Sequence, residues 1–433
     1  MKKVLTGVVA LALFAGGCGG SSDSEELAQV RAELDALKEQ VATTTAAPTT
    51  TAAPTTTVAP TTTVAPATTA APTTTVAPTT TAAPTTSTTP AAPTTSPGLI
   101  VFRSPDFEIS VMAGDGAQRR SFPPPLNLNH GGGLSPDGRH IVFAARTPDW
   151  EIYVINVDGT GLRQLTDNDD DDDYPNWSPD GSRIAFMSDR GTDPYGTEHI
   201  FVMNADGTNV RQLSPDFGRD AWWPDWSPDG EHIVFGVEVD DTYEIFRMNA
   251  DGTDWRQLTD NRSYAECFCN HYYGQNPLWS PDGERIAFAR DVDGINYLVV
   301  MNADGGQVRQ LTDKNDYVGC EDLEAGELRG DPSPEGCMFG FRWSPDGERL
   351  AFTLPTSDGA EIFLVNADGT EKRQLTHDGF ALMPVWSPDG ERIAYARVPP
   401  GKEPLEAEIL VMNADGTNAY DTNERGVPLD WGE

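Results

Sequence analysis

From about Gly98 onward, apolar runs of four to six residues recur along the chain, bounded by the same polar words. Arg183-Ile184-Ala185-Phe186 leads through a variable loop to His199-Ile200-Phe201-Val202-Met203. Runs this short, rich in β-branched and aromatic residues and bracketed by Gly, Pro, Asn and Asp, predict strands. Trp-Ser-Pro-Asp-Gly begins at Trp177, Trp226, Trp279, Trp343 and Trp386, with Leu134-Ser135-Pro136-Asp137-Gly138 as a variant. Asn-Ala-Asp-Gly begins at Asn204, Asn249, Asn302, Asn366 and Asn413, with Asn156-Val157-Asp158-Gly159 as a variant. Arg-Gln-Leu-Thr closes most units, as at Arg163, Arg256, Arg309 and Arg373. In the first word Pro pre-sets φ for a type I turn and Gly takes the left-handed position after it. In the second, Asn caps and Gly sits at a bulge.

Each unit therefore predicts a four-stranded antiparallel sheet, and the chain an all-β fold. Successive units start 43, 49, 53, 64 and 43 residues apart, against ~40–45 for WD-type propeller blades, so the longer intervals carry loop insertions. Six units are complete and the ends supply a seventh. Gly98-Leu99-Ile100-Val101-Phe102 through Val111 matches a blade without its first strand, and Val427-Pro428-Leu429-Asp430-Trp431-Gly432 matches a first strand alone. Pairing them closes a seven-bladed β-propeller and removes its open edges; a six-bladed ring with a flanking hairpin is the alternative. These words resemble the TolB-like propeller repeat, also found in the non-catalytic propellers of prolyl-oligopeptidase-type enzymes. The resemblance covers about residues 98–433 and does not extend to the small α/β domain that precedes the propeller in TolB.

The apolar pattern ahead of the repeats differs. Lys2 and Lys3 precede an apolar run from Val4 to Ala15, too short to span a bilayer, ending at Ala15-Gly16-Gly17-Cys18. This resembles a bacterial lipobox, with Ala15 where Leu is usual. It implies a signal peptide over residues 1–17, lipidation at Cys18 and an extracytoplasmic protein held to the membrane by its lipid. Leu27, Val30, Leu34, Leu37 and Val41 keep a heptad spacing, predicting a short coiled-coil helix within residues 18–42. Glu33 and Lys38 then suit a parallel partner, so residues 24–41 suggest weak homo-oligomerisation. From Thr43 to Pro97 the chain is almost wholly Thr, Ala and Pro. It buries too little to fold, and its Pro favours an extended polyproline-II stalk of at most ~170 Å, at ~3.1 Å per residue.

A net charge of −37 argues against nucleic acid, which needs a clustered basic footprint. It argues equally against protein-surface adhesion to anionic lipid. Near-identical corners read as fold-making, and they fall on one face of the disc. The loops between second and third strands and between blades fall on the other, where the blades differ, and binding needs such difference. Candidate residues there are the acidic run with Asp169, Asp171 and Asp173, either a solvated loop or a Ca²⁺ site. An aromatic wall of Trp222, Trp223, Tyr264, Tyr272 and Tyr273 beside Asp220 suits protein or sugar recognition.

Cys267, Cys269, Cys320 and Cys337 lie in the two longest insertions, and outside the cytoplasm they suggest disulfides. The pairing is open: staples between the insertions, or Cys320–Cys337. Cys267-Phe268-Cys269-Asn270-His271 also admits zinc. No nucleophile elbow or His-Glu-x-x-His occurs, and the six His are scattered, His140 and His232 standing where other units have Arg. The reading is a non-enzymatic, cofactor-free binding or scaffold module for an envelope protein or glycan. Its alternative is a metal-dependent hydrolase or lyase with a site in the central channel.

Overall fold

The computed structural model describes residues 98–432 other than 123–126, 192–195, 240–241, 261–276, 293–294, 317–339, 358, 378, 400–401 and 403–405. The expected signal peptide, Cys18, the helix at 24–41, the stalk, the four loop cysteines and Tyr264, Tyr272 and Tyr273 lie outside the described residues.

Seven four-stranded antiparallel sheets form the ring. Blade 3 runs from its innermost strand Asp172–Trp177 through Arg183–Ser188 and His199–Asn204 to a two-residue outer strand, Arg211–Gln212. The innermost strands of blades 2, 4, 5, 6 and 7 are Asn127–Leu134, Ala221–Trp226, Leu278–Trp279, Phe341–Trp343 and Ala381–Trp386. Blade 1 takes its innermost strand, Val427–Gly432, from the C-terminus, and it pairs with Leu99–Arg103 in the register Ile100↔Trp431. The ring thus closes with mixed termini, and the six-bladed alternative falls.

The two middle strands of each blade are buried on both sides, because each sheet is sandwiched between two others. Ile100, Val101 and Phe102 are consecutive and fully buried, as are Ile184, Ala185 and Phe186. Continuous apolar triplets rather than strict alternation are the sequence mark of this sandwiching.

The corners work as their chemistry dictates. The Ser178 hydroxyl donates to Asp180 Oδ1 at 2.6 Å and accepts from the Arg183 amide at 2.9 Å, while Gly181 N–H closes the turn on Ser178 O. Gly181 has φ +69°, a region that costs an L-residue ~1–2 kcal/mol. In the second corner Thr208 Oγ1 donates to Asp206 and Asn204 Nδ2 donates to Thr208 Oγ1. Gly207 has φ +88°, and a Cβ there would meet the Leu165 carbonyl of blade 2 at 2.9 Å. That corner therefore needs glycine both for its own turn and for blade contact.

The innermost strands are less regular. Register shifts fall between Asp173 and Asn176, Trp222 and Asp225, and Leu382 and Val385. Each bulge carries a Pro, which has no N–H for the ladder. The residue before it is left-handed: Tyr174, Trp223 and Met383 have φ of 50°, 54° and 54°. Each stores on the order of 1 kcal/mol of strain, held by the blades around it.

Candidate functional site

The residue just before each repeated Trp, or before Leu134, forms a column at the channel-facing edge: Gly133, Asn176, Asp225, Leu278, Arg342, Val385 and Asp430. The channel edge of an innermost strand has unpaired backbone donors. Carboxylates satisfy two of them across blade boundaries: Asp225 Oδ2 accepts from the Trp279 amide and Asp430 Oδ2 from the Leu134 amide, both at 2.8 Å. Asn176 Nδ2 adds a donor to Asp225 Oδ1 at 2.9 Å.

Arg342, on blade 6, feels the charges of Asp225 on blade 4 and Asp430 on blade 1. Neither blade adjoins its own, so the three charges act on one another across the central opening. Burial pushes the Asp225 carboxyl up to about 6, opposed by the Trp279 amide, Asn176 and Arg342. Burial likewise raises Asp430, opposed by the amides of Leu134 and Trp431 and by Arg342. Burial lowers the Arg342 guanidinium, the two carboxylates resisting. The Arg342 side chain is nonetheless exposed to solvent, so the channel is wet: protein surrounds the guanidinium without sealing it. One cation between two carboxylates, reachable from water, suits a polar ligand with donors and acceptors on opposite sides.

The acidic run is drawn into the framework. Asp171 Oδ1 accepts from the Trp150 amide of blade 2, its own amide donates to Asp189, and buried Asp172 pairs with Arg190 and accepts from Asn168. Asp173 Oδ1 accepts from the Tyr174 amide, and Asp169 is exposed. Among the described residues, the one group offering three metal-ligand atoms within 4.8 Å of one another is Asp229, Glu231 and His232, in the Ser-Pro-Asp-Gly corner of blade 4. Asp229 is already used there by Ser227 and the Glu231 amide.

The expected aromatic wall divides. Trp223 is buried, edge-on to Tyr174 at 6.3 Å. Trp222 is half-buried at the unlike-loop end of its innermost strand, stacked on Tyr243 at 6.0 Å and 9°, and its indole N–H donates to Glu198. Asp220 accepts from the Glu198 amide at 2.9 Å. Burial and the charges of Asp220, Asp173 and Asp189 push the Glu198 carboxyl up to about 7, with Trp222 opposing. The rim thus sets a flat aromatic face beside a carboxyl that holds its proton to near neutrality.

Two columns escaped sequence reasoning. The first is the channel column; its signal was present as the one position that varies ahead of an otherwise constant word. The second is a buried Glu in the third strand, with Glu151, Glu244 and Glu361 1–2% exposed. The Thr of Arg-Gln-Leu-Thr donates to it, as Thr259 does to Glu244 at 2.5 Å, and accepts from the next amide of the third strand, as Thr166 does from Ile152 at 2.8 Å. Glu spaced 15 residues from Thr was legible only as composition.

Fold and site together define a closed seven-bladed propeller with charged groups along its channel. Residues 100–266 match the TolB beta propeller domain family, and the ring is a TolB-like propeller. The uncharacterized peptidase YuxL of Bacillus subtilis is 33% identical over 88 residues, which is 20% of this chain and 10% of that protein; the chain thus matches about a tenth of that relative's length. Among solved structures, a puromycin hydrolase is 18% identical with a TM-score of 0.56, covering 77% of this chain and 53% of that one. An oligogalacturonate lyase from Vibrio parahaemolyticus is 12% identical with a TM-score of 0.52, covering 75% and 84%. At these identities the likenesses show the fold. Among the described residues no helix is long and apolar enough to cross a membrane.

Proposed function

We propose that this chain is a binding or scaffold module of the cell envelope, tethered through lipid on Cys18 and held off the membrane by its Thr/Ala/Pro stalk. It recognises a protein or glycan with the unlike-loop face. The observation that carries this reading is the Trp222–Tyr243 stack with Glu198 and Asp220 at the end of an innermost strand, on the face where the loops differ from blade to blade. Aromatic rings with adjacent carboxylates serve sugars and peptides alike. The carboxylates nearest the channel are engaged in joining blades, which favours holding a ligand over turning one over. The full chain, captured from detergent, is expected to retain an envelope protein or glycan that Trp222→Ala loses while unfolding at an unchanged temperature. Equal retention by both proteins would defeat the reading. Hydrolase or lyase turnover abolished by a chelator would replace it with a channel enzyme, the reading that the folds of the lyase and hydrolase relatives favour.

A further inference from the structure

Seven seams join the blades, and at each the residue opening one blade's second strand faces the last apolar residue of the next blade's innermost strand. The pairs are Leu99–Leu134, His140–Trp177, Arg183–Trp226, His232–Trp279, Arg285–Trp343, Arg349–Trp386 and Arg392–Trp431. In four of them a guanidinium lies over an indole, with Cζ 4.5, 5.5, 5.0 and 4.9 Å from the ring centroid. Backbone carbonyls of the next blade complete three of these cradles: Arg392 reaches Gly114 O at 3.3 Å, and Arg183 reaches Gly230 O at 3.4 Å and Ala250 O at 3.3 Å. Arg285 donates to Asp282 of its own corner at 2.8 Å and to Gly347 O at 2.9 Å. Leu99 and Leu134 replace both partners at once and pack in one apolar cluster.

The seam between blades 2 and 3 has the cradle without the arginine. His140 stays with its own corner, Nδ1 3.8 Å from Asp137 Oδ1. Beside it lies a cleft of about 360 Å³ lined by Asp137, Asp180, Gly181, Ala205 and Trp177. Gly181, Ala205 and Trp177 correspond to Gly230, Ala250 and Trp226, the groups that hold Arg183 one seam further on. The second histidine seam is compensated. His232 stands 6.4 Å from Trp279, ring to ring, and Arg247 sends Nη1 to Ala303 O, the counterpart of Ala205, at 3.1 Å. Blade 2 has Val154 where blade 4 has Arg247. Indole N–H groups also mark the two histidine seams. Those of Trp226, Trp343 and Trp386 donate to carbonyls of the preceding blade, whereas those of Trp177 and Trp279 have no acceptor among the described residues.

The charged and titratable groups facing the cleft are Asp137, Asp180, Arg163 and His140. The Ser135 hydroxyl lowers Asp137, and the Ser178 hydroxyl and the Ser182 amide hold Asp180 at about 2, so both are ionised at neutral pH. Arg163 does not exclude a second guanidinium. At the neighbouring seam its counterpart Arg211 and Arg183 both reach the Ala250 carbonyl, at 3.4 and 3.3 Å.

We propose that this cleft binds an exogenous guanidinium group, the arginine side chain of a partner polypeptide, in the place the chain's own arginine fills at four other seams. It lies on the corner face, opposite Trp222, so it stands or falls separately from the rim. The test titrates ¹⁵N-labelled full chain with N-acetyl-arginine amide and follows the indole N–H signal of Trp177, assigned through Trp177→Phe. A saturable shift is expected, with N-acetyl-lysine amide at least about tenfold weaker because an ammonium lacks the planar fork. His140→Arg is expected to abolish the shift and to raise the melting temperature by a few degrees, its arginine completing the cradle. No saturable shift in the unmodified chain, or an unchanged one in His140→Arg, would overturn the proposal. A response to guanidinium ion without one to the arginine amide would make this a small-cation site and overturn the polypeptide ligand.

Discussion

The two faces of the disc differ in kind. On the corner face the same short contacts recur blade after blade: Ser135, Ser178, Ser227, Ser280, Ser344 and Ser387 each donate to the Asp two residues on. On the opposite face the side-chain partners change from blade to blade, with Arg190 on Asp172, Trp222 on Glu198 of the preceding blade and Arg397 on Glu408. Repetition marks what the fold needs, so information about ligands resides wherever repetition stops. That holds within the repeated columns too, where His140 in an arginine column and Arg342 in a mixed one are the residues that stand out.

The comparison can be broken most severely at the closure. Removing residues 427–432 exposes the edge of Leu99–Arg103 and loses buried Trp431. The expected result is loss of a single cooperative transition in calorimetry; a retained sharp transition would show that closure is dispensable. Trp226→Ala removes a buried indole under Arg183 and is expected to cost ~3–5 kcal/mol in denaturant unfolding.

The pH dependence tests the buried Glu column. Glu151 is pushed up to about 7 from 4.5, chiefly by burial, with Thr166 and the Asn168 amide opposing. The folded chain therefore holds this proton more tightly than the unfolded chain does. Its contribution favours folding most below the unfolded value near 4.5, declines as pH rises to about 7, and is flat above. Glu151→Gln is expected to remove up to about 3 kcal/mol of that decline, measured as the difference in unfolding free energy between pH 5 and pH 8. An unaltered slope would place the proton elsewhere.

The smallest effect sharpens the equivalence of corners. Ser178→Ala and Ser387→Ala each remove a fully buried hydroxyl with the same partners. Each is expected to cost ~1–2 kcal/mol, equal within about 0.5 kcal/mol. Unequal losses would mean that the blades around the corners, and not the corners, set the energy.

The corners, the strands beside them and the closure of the first apolar segment on Trp431 were legible along the chain. Ser, Pro, Asp and Gly make their contacts within a few residues of one another, and one open edge at each end of the repeats leaves one way to pair them. Tertiary structure alone decided which of two adjacent tryptophans is buried. A bulge before Pro224 turns Trp223 inward and leaves Trp222 at the rim, a choice between neighbours with the same composition and the same pattern. It also decided that Arg342 faces Asp225 and Asp430. Those residues stand far apart in sequence on non-adjacent blades, and only ring closure, which sets distances across the channel, brings their charges together.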